Sequence, residues 1–382
     1  MLKKRFSIVT VVIACICSCG LVIGALLYGL QSVTGSLPGT FKFMRALSIV
    51  RSSFIESVDY NKLYEGAIKG MVNALGDPYS VYLDEESFKS LVTSTEGHFG
   101  GIGVVIGMKD NNFVVIAPLK GTPGDRAGIK SGDKITAIDG KKTAGQTLED
   151  VVAQIRGKEG TTVEIELKTV AGEVKTVRVI RSDIKLETVA GEMKNNKIGY
   201  IRIGMFNENT GSDFIKKFHE LEGQGMEGLV LDLRDNPGGL LGESVKVAEL
   251  MVPKGPIVSV TERSGKSVTE YSSLEKTKYP VAVIVNQGTA SAAEIVAGAL
   301  QDTKAGKLFG TKTFGKGSVQ AVSNLDESTG MKLTIARYYT PSGRSINGTG
   351  IEPDVVIEAA GETGENQLTE AISYLEKELV KK

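Results

Sequence analysis

The chain has 382 residues, 45 basic and 45 acidic side chains, a formal net charge of zero and 41% apolar residues. That length holds two or three domains with sizeable cores, and balanced charge without a long basic run gives no reason to expect nucleic acid as a partner. All three cysteines, Cys15, Cys17 and Cys19, lie in one apolar N-terminal stretch, so the rest of the chain can form no internal disulfide, cysteine nucleophile or thiolate metal site.

In chain order, Lys3, Lys4 and Arg5 precede an uncharged stretch from Phe6 to Phe41. Its apolar part, Ile8 to Leu30, is 23 residues long. At about 1.5 Å per residue it reaches roughly 35 Å, enough to span a bilayer with some tilt. Secretory signal cores are usually about 7–15 residues, so an uncleaved anchor is favoured over a cleaved signal. Basic residues before the span put the bulk of the chain outside the cytoplasm. The cysteines read as small apolar residues; Val12-Ile-Ala-Cys15 loosely resembles a lipoprotein cleavage site, but the apolar run continues well beyond it.

Residues 31–40 are small and polar with a proline and read as a linker. Residues 41–96 carry helical spacing. Phe43, Leu47, Val50, Phe54 and Val58 recur at three- and four-residue steps, and Leu63, Ala67, Met71 and Leu75 do so in a second helix. Gly76-Asp-Pro-Tyr-Ser80 ends that pattern, since proline cannot continue a helix. Residues 97–182 change to short β segments with glycine turns, the strands expected at 101–106, 112–116, 133–138 and 162–167, with a helix at 148–155. From Ile198 strands and helices alternate, with strands at 198–205, 229–233, 281–285, 308–313 and 331–339 and helices at 212–221, 241–251 and 292–300. This alternation predicts an α/β layer architecture. Residues 366–380 form an amphipathic helix with Leu368, Ala371, Ile372, Leu375 and Leu379 on one face.

Ligand sites in such sheets lie beyond strand ends, where loops enter helices. Asn236-Pro-Gly-Gly239 and Gly288-Thr-Ala-Ser291 both occupy such places. Ser291-Ala-Ala-Glu294 matches a capping box, in which serine and glutamate satisfy the first free N–H groups of a helix. A nucleophile is compatible with that position, because the helix N-terminus stabilises negative charge. Lys316, 25 residues on, is either a solvated loop lysine or the base for that serine. A base must be neutral: bringing a lysine from about 10.4 to about 7–8 costs roughly 4 kcal/mol, which only burial or nearby positive charge can supply. Gln320, four residues further, could orient the amine without adding negative charge. Asn236-Pro-Gly-Gly239 is a tight turn or a source of an oxyanion donor, the Gly239 N–H, with the Ala292 N–H as a second.

Rival chemistries have little to work with. Of the two histidines, His219 lies in a polar helical stretch and His98 starts the β-rich region, 121 residues away. A serine–histidine–aspartate triad would need one of them beside Ser291, and a catalytic zinc usually needs two or more histidines with a carboxylate. Glycines near Gly97–Gly103 precede β structure, not a phosphate-binding helix.

Taken together, the Asp232-Leu-Arg strand end with Pro237-Gly-Gly239, Ala290-Ser-Ala-Ala-Glu-Ile295 and Phe314-Gly-Lys-Gly-Ser-Val-Gln320 resemble the carboxy-terminal processing peptidases, also called tail-specific proteases. Tyr339-Thr-Pro-Ser-Gly-Arg-Ser-Ile346 and Gly350-Ile-Glu-Pro-Asp354 extend the likeness, which runs from about Phe43 to the C-terminus. Family members often have Ser-Ala-Ser-Ala-Ser-Glu; here Thr289 and Ala293 replace the flanking serines, and the nucleophile is kept. The resemblance implies Ser291 as nucleophile, Lys316 as base, Gln320 as its positioner, and backbone donors at Gly239 and Ala292. It implies a crotonase/Clp-protease-like α/β core over 183–360, an inserted PDZ domain over 97–182, and no metal or organic cofactor. Phe99-Gly100-Gly101-Ile102-Gly103 resembles the PDZ carboxylate-binding loop, where free N–H groups and a strand edge hold a substrate C-terminus. Arg156 is a candidate relay between PDZ domain and protease, or a surface salt-bridge former.

The expectation is a membrane-anchored, extracytoplasmic serine endopeptidase acting on proteins or peptides with a free C-terminus. Its anchor is residues 1–30, its C-terminal helix lies within 361–382, and helical faces could pair in a homodimer. A catalytically dead membrane-tethered PDZ scaffold, and a PDZ-bearing protease of the histidine type, are the alternatives.

Overall fold

A computed structural model describes residues 8–109, 112–119, 121–195, 197–361 and 364–381, without the side chains of Lys109 and Glu149. Lys3, Lys4, Arg5 and Phe6 lie outside the described residues. The chain divides into two compact units, Met1–Ala74 and Leu75–Lys382.

The first unit is helical: Ile8–Thr34, Leu37–Ser53 and Tyr60–Asn73. Among the described residues, Ile8–Thr34 is the one helix long and apolar enough to cross a membrane. The linker expected at 31–40 is corrected to a break at Gly35-Ser36. Ser36 caps the next helix, accepting from the Gly39 N–H at 3.1 Å, and Pro38 sits in its first turn, where the missing N–H costs nothing. The same helix stops at Ser53, so Phe54 and Val58 are outside it.

The second unit holds the α/β core. Its six-stranded sheet runs Val189–Lys194, Ile198–Ile203, Gly228–Asp232, Val281–Val285, Gly306–Gly310, Val355–Val356. The first pair is antiparallel and the others parallel. Gly228–Asp232 and Val281–Val285 are buried at every position because helices cover both faces. Side chains alternate between the faces. Leu229, Leu231, Val283 and Val285 join the core formed by Thr210–Gly223, Leu241–Glu249 and Ala292–Asp302. Val230, Ala282 and Ile284 meet Ala371 and Leu375 of the C-terminal helix Glu365–Val380.

A second sheet pairs Val81–Leu83, Gly330–Tyr339, Gly255–Glu262 and Ser267–Ser272, with Ser318–Asn324 also laid on Gly330–Tyr339. It carries the segment after Lys316. The β-rich module is a separate sheet in the order Val104–Lys109, Asn112–Pro118, Lys134–Ile138, Thr162–Lys168, Val174–Ile180. Helix Leu148–Ile155 closes its core through Val151 and Ile155. The antiparallel strands His98–Gly101 and Ser182–Lys185 lead into and out of this module.

Candidate active site

The strand Val281–Val285 delivers the chain to Ser291 through a loop fixed by its own side chains. Asn286 Oδ1 accepts from the N–H groups of Asp235 (2.9 Å) and Gly288 (3.0 Å), and Thr289 Oγ1 donates to the Leu233 carbonyl at 2.8 Å. Ser291 is then forced to φ +54° and ψ −119°, a conformation L-residues rarely adopt. Such strain costs about 1–3 kcal/mol and persists only where the surroundings overdetermine it. The glutamate half of the expected capping box forms: the Ser291 N–H donates to Glu294 Oε2 at 2.9 Å. The Glu294 N–H goes to the Ser291 carbonyl at 2.8 Å.

Glu294 does more than cap. Fully buried, its carboxylate also accepts from the N–H groups of Lys316 (2.9 Å) and Gly315 (2.8 Å) and from Thr313 Oγ1 (2.6 Å). Burial pushes its pKa up, and these donors pull it back. One carboxylate therefore stitches the serine turn to the lysine loop. Gly315 makes the loop possible, since at φ +90° a side chain would meet the Gly350 N at 2.7 Å.

The Lys316 amine lies 4.9 Å from the centroid of the Tyr79 ring. Burial pushes this half-buried amine below the ordinary lysine range and Lys332 pushes the same way, while Asp77 and Glu294 oppose them. The Tyr79 face also opposes, since an aromatic face attracts the charged form. Gln320 does not hydrogen-bond Lys316 among the described residues. A register shift between Val319 and Gln320 re-aims its side chain, and its amide donates to Ser318 Oγ (2.9 Å) and Thr334 Oγ1 (3.1 Å).

The third segment follows Gly228–Asp232. Asn236 donates through Nδ2 to the Ile203 carbonyl at 2.9 Å and accepts through Oδ1 from the Gly238 N–H at 2.8 Å. Its own carbonyl takes the Ala290 N–H at 2.9 Å. Phe206 N–H donates to the Gly238 carbonyl (2.9 Å) and Leu240 N–H to the Phe206 carbonyl (2.8 Å). At Gly239, φ is +140° and a Cβ would strike the Phe206 carbonyl; at Gly238 it would meet Ser291 Cβ at 2.7 Å. The glycine turn and the serine turn are thus in contact. Among the described residues the Gly239 and Ala292 N–H groups donate to no protein acceptor.

Ser291, Lys316, Gln320, Gly239 and Ala292 all line one cleft of about 430 Å³. Its other walls are mostly apolar, and among the described residues its only charged lining residues are Lys316 and Lys332. A larger cleft of about 900 Å³ holds none of the five; Lys312–Glu352 (2.8 Å) and Arg202–Asp235 (3.9 Å) pair across its lining. Neither histidine lines the cleft: His98 pairs with Asp183 at 2.9 Å and His219 with Glu222 at 2.6 Å. Among the described residues no group of His, Cys, Asp and Glu could hold a metal ion.

At the β-rich module, Phe99, Gly100 and Gly101 belong to the strand His98–Gly101, paired with Ser182–Lys185, instead of an open loop. Ile102 is buried and Gly103, at φ +70°, turns into Val104–Lys109, the end strand of its sheet. The Arg156 guanidinium stacks 4.5 Å from the Phe99 ring centroid, not in a salt bridge, and the Gly157 N–H donates to the Gly100 carbonyl at 3.0 Å.

Sequence reasoning missed the bridging role of Glu294, visible only as a cap, the pinning of the glycine turn by the Asn236 side chain, and Lys332 and Tyr338. The Tyr338 hydroxyl donates to the carbonyls of Ser291 (3.0 Å) and Lys316 (2.7 Å). No local pattern announces such contacts.

Residues 197–357 match Peptidase family S41, 114–169 a PDZ domain, and 30–87 the activating protease CtpB N-terminal domain. The chain is 39% identical over 322 residues to the carboxy-terminal processing protease CtpB of Bacillus subtilis, covering 83% of this chain and 67% of that one. It is 40% identical over 318 residues to a carboxy-terminal-processing protease of Bartonella bacilliformis, covering 81% and 73%. A solved photosystem II D1 C-terminal processing protease aligns with a TM-score of 0.50 at 32% identity, over 83% of this chain and 86% of that one. Fold and matches together define a mixed α/β peptidase core with a PDZ domain. The chain belongs to peptidase family S41, among its carboxy-terminal processing proteases, and is a serine-type peptidase.

Proposed function

We propose that the enzyme cleaves peptide bonds by a Ser291–Lys316 acyl-enzyme mechanism. The observation carrying this reading is that Ser291, Lys316 and the N–H groups of Gly239 and Ala292 share one cleft with no carboxylate on its wall among the described residues. Neutral Lys316 takes the Ser291 hydroxyl proton as Oγ bonds to the scissile carbonyl carbon. The carbonyl electrons move onto oxygen, which lies between the N–H groups of Gly239 and Ala292. Removing one such donor typically costs about 2.7–4 kcal/mol. As the C–N bond breaks, Lys316 returns the proton to the leaving amine, and water then hydrolyses the ester. Gln320, on the same wall, is proposed to hold the amine once substrate is bound.

The strand edge of Val104–Lys109 and the Ile102-Gly103 turn are proposed to capture a substrate C-terminus, with Phe99 through Gly101 and Arg156 relaying occupancy to the protease. The helix Ile8–Thr34 is read as an uncleaved single-pass anchor with the catalytic part outside the cytoplasm, its length supporting this over a signal sequence. A homodimer, a crotonase/Clp-like core over 183–360 and a PDZ domain over 97–182 complete the proposal. The test uses the full chain in detergent micelles with an unstructured protein substrate. Ser291→Ala and Lys316→Ala each abolish proteolysis while the folded state is retained; activity persisting in either variant refutes the dyad.

A further inference from the structure

We propose that Tyr338 is a positioning residue whose hydroxyl ties the backbone of the nucleophile to the backbone of the base. The inference rests on the Ser291–Lys316 reading and deepens it. Tyr338 is near the end of Gly330–Tyr339, with its ring fully buried in the core and its edge on the catalytic cleft. It grips the lysine loop at two points: its N–H donates to the Gly317 carbonyl at 3.0 Å and its hydroxyl to the Lys316 carbonyl at 2.7 Å. The same oxygen is 3.0 Å from the Ser291 carbonyl.

A phenol has one proton, so the two carbonyls share it, the shorter contact being to Lys316. Burial and the nearby Glu294 charge push the Tyr338 pKa well above its ordinary value, which keeps that proton in place at any working pH. Ser291 and Lys316 sit on different elements, one entering a helix and the other entering Ser318–Asn324. Glu294 joins their N–H groups and Tyr338 their carbonyls, so each of the two residues is held on both sides of its peptide chain. A reacting pair tolerates little misplacement, a shift of about 1 Å costing on the order of 100-fold in rate.

The test is Tyr338→Phe in the full chain, which keeps the ring and removes only the hydroxyl. The expected kcat loss is about 10- to 100-fold at unchanged KM. The acid limb of the kcat/KM profile moves to higher pH, because a loosened Lys316 loop lets water reach the amine. Val247→Ala, a core truncation that does not line the cleft, is the control: it lowers the melting temperature and leaves kcat and the pH profile alone. A folded Tyr338→Phe enzyme with wild-type kcat and acid limb overturns the proposal. In wild-type protein, selectively labelled for NMR, the Tyr338 hydroxyl proton is slow to exchange and couples to the Lys316 carbonyl; fast exchange overturns the proposal without any variant. If Ser291→Ala and Lys316→Ala are inactive while Tyr338→Phe is normal, Tyr338 alone is refuted. Activity in Ser291→Ala refutes the dyad itself.

Discussion

Two glycine-rich segments of this chain looked alike as strings and differ in how they are held. Asn236–Gly239 is pinned by both ends of the Asn236 side chain, by Phe206 on either side of Gly239 and by the Ala290 N–H. Phe99–Gly101 is half of a two-stranded ribbon, crossed by one stacked arginine and an exposed His98–Asp183 pair. The first is overdetermined, which fits the proposed role of offering N–H groups to a short-lived anion. The second has fewer side-chain ties, with one further backbone bond from the Gly157 N–H to the Gly100 carbonyl, and it connects to the β-rich module.

Substitutions that disturb the pinned region should therefore cost far more than those in the ribbon. Gly239→Ala places a methyl against the Phe206 carbonyl at φ +140°; kcat should fall about 100- to 1000-fold, read by steady-state kinetics on folded protein. A loss under tenfold would place the oxyanion donor elsewhere. Glu294→Ala strands the buried Gly315 N–H and the part-buried N–H groups of Ser291 and Lys316; it should cost several kcal/mol of stability at about 1–3 kcal/mol per unsatisfied group, seen in denaturant unfolding, together with most activity.

Lys332→Met removes the cation that helps depress Lys316. A lysine base works only above its pKa, so raising that pKa moves the acid limb of kcat/KM upward; a downward or absent shift breaks the electrostatic account. In the ribbon, Arg156→Ala loses a stacking contact of about 0.5–1 kcal/mol. It should change KM for tailed substrates a few-fold and leave kcat on short peptides intact. His98→Ala should be the mildest, with proteolysis within about twofold, since exposed pairs contribute little; abolished activity would revive a histidine mechanism.

The parallel core was legible because strands buried on both faces read as continuous apolar runs, as at Leu229–Leu231 and Val281–Val285. The serine turn was legible from its capping pattern. The hairpin Gly255–Glu262 with Ser267–Ser272 was not, because its partly exposed strands mix polar and apolar residues. The break at 31–40 was overread, since Pro38 enters a helix at its first turn as readily as it ends one. Gln320 shares the cleft with Lys316, but the hydrogen bonds its amide makes to Ser318 and Thr334 were not legible, because the register shift after Val319 interrupts regular spacing. Tyr338 touches residues 47 and 22 positions away, a separation beyond any local pattern.

The most direct test of the account is an NMR titration of the Lys316 amine in Ser291→Ala protein with nitrogen-15-labelled lysine. The account predicts that Lys316 loses its proton below the ordinary lysine value of about 10.4, and that Lys332→Met moves that titration back up. An amine that titrates with the surface lysines would contradict it.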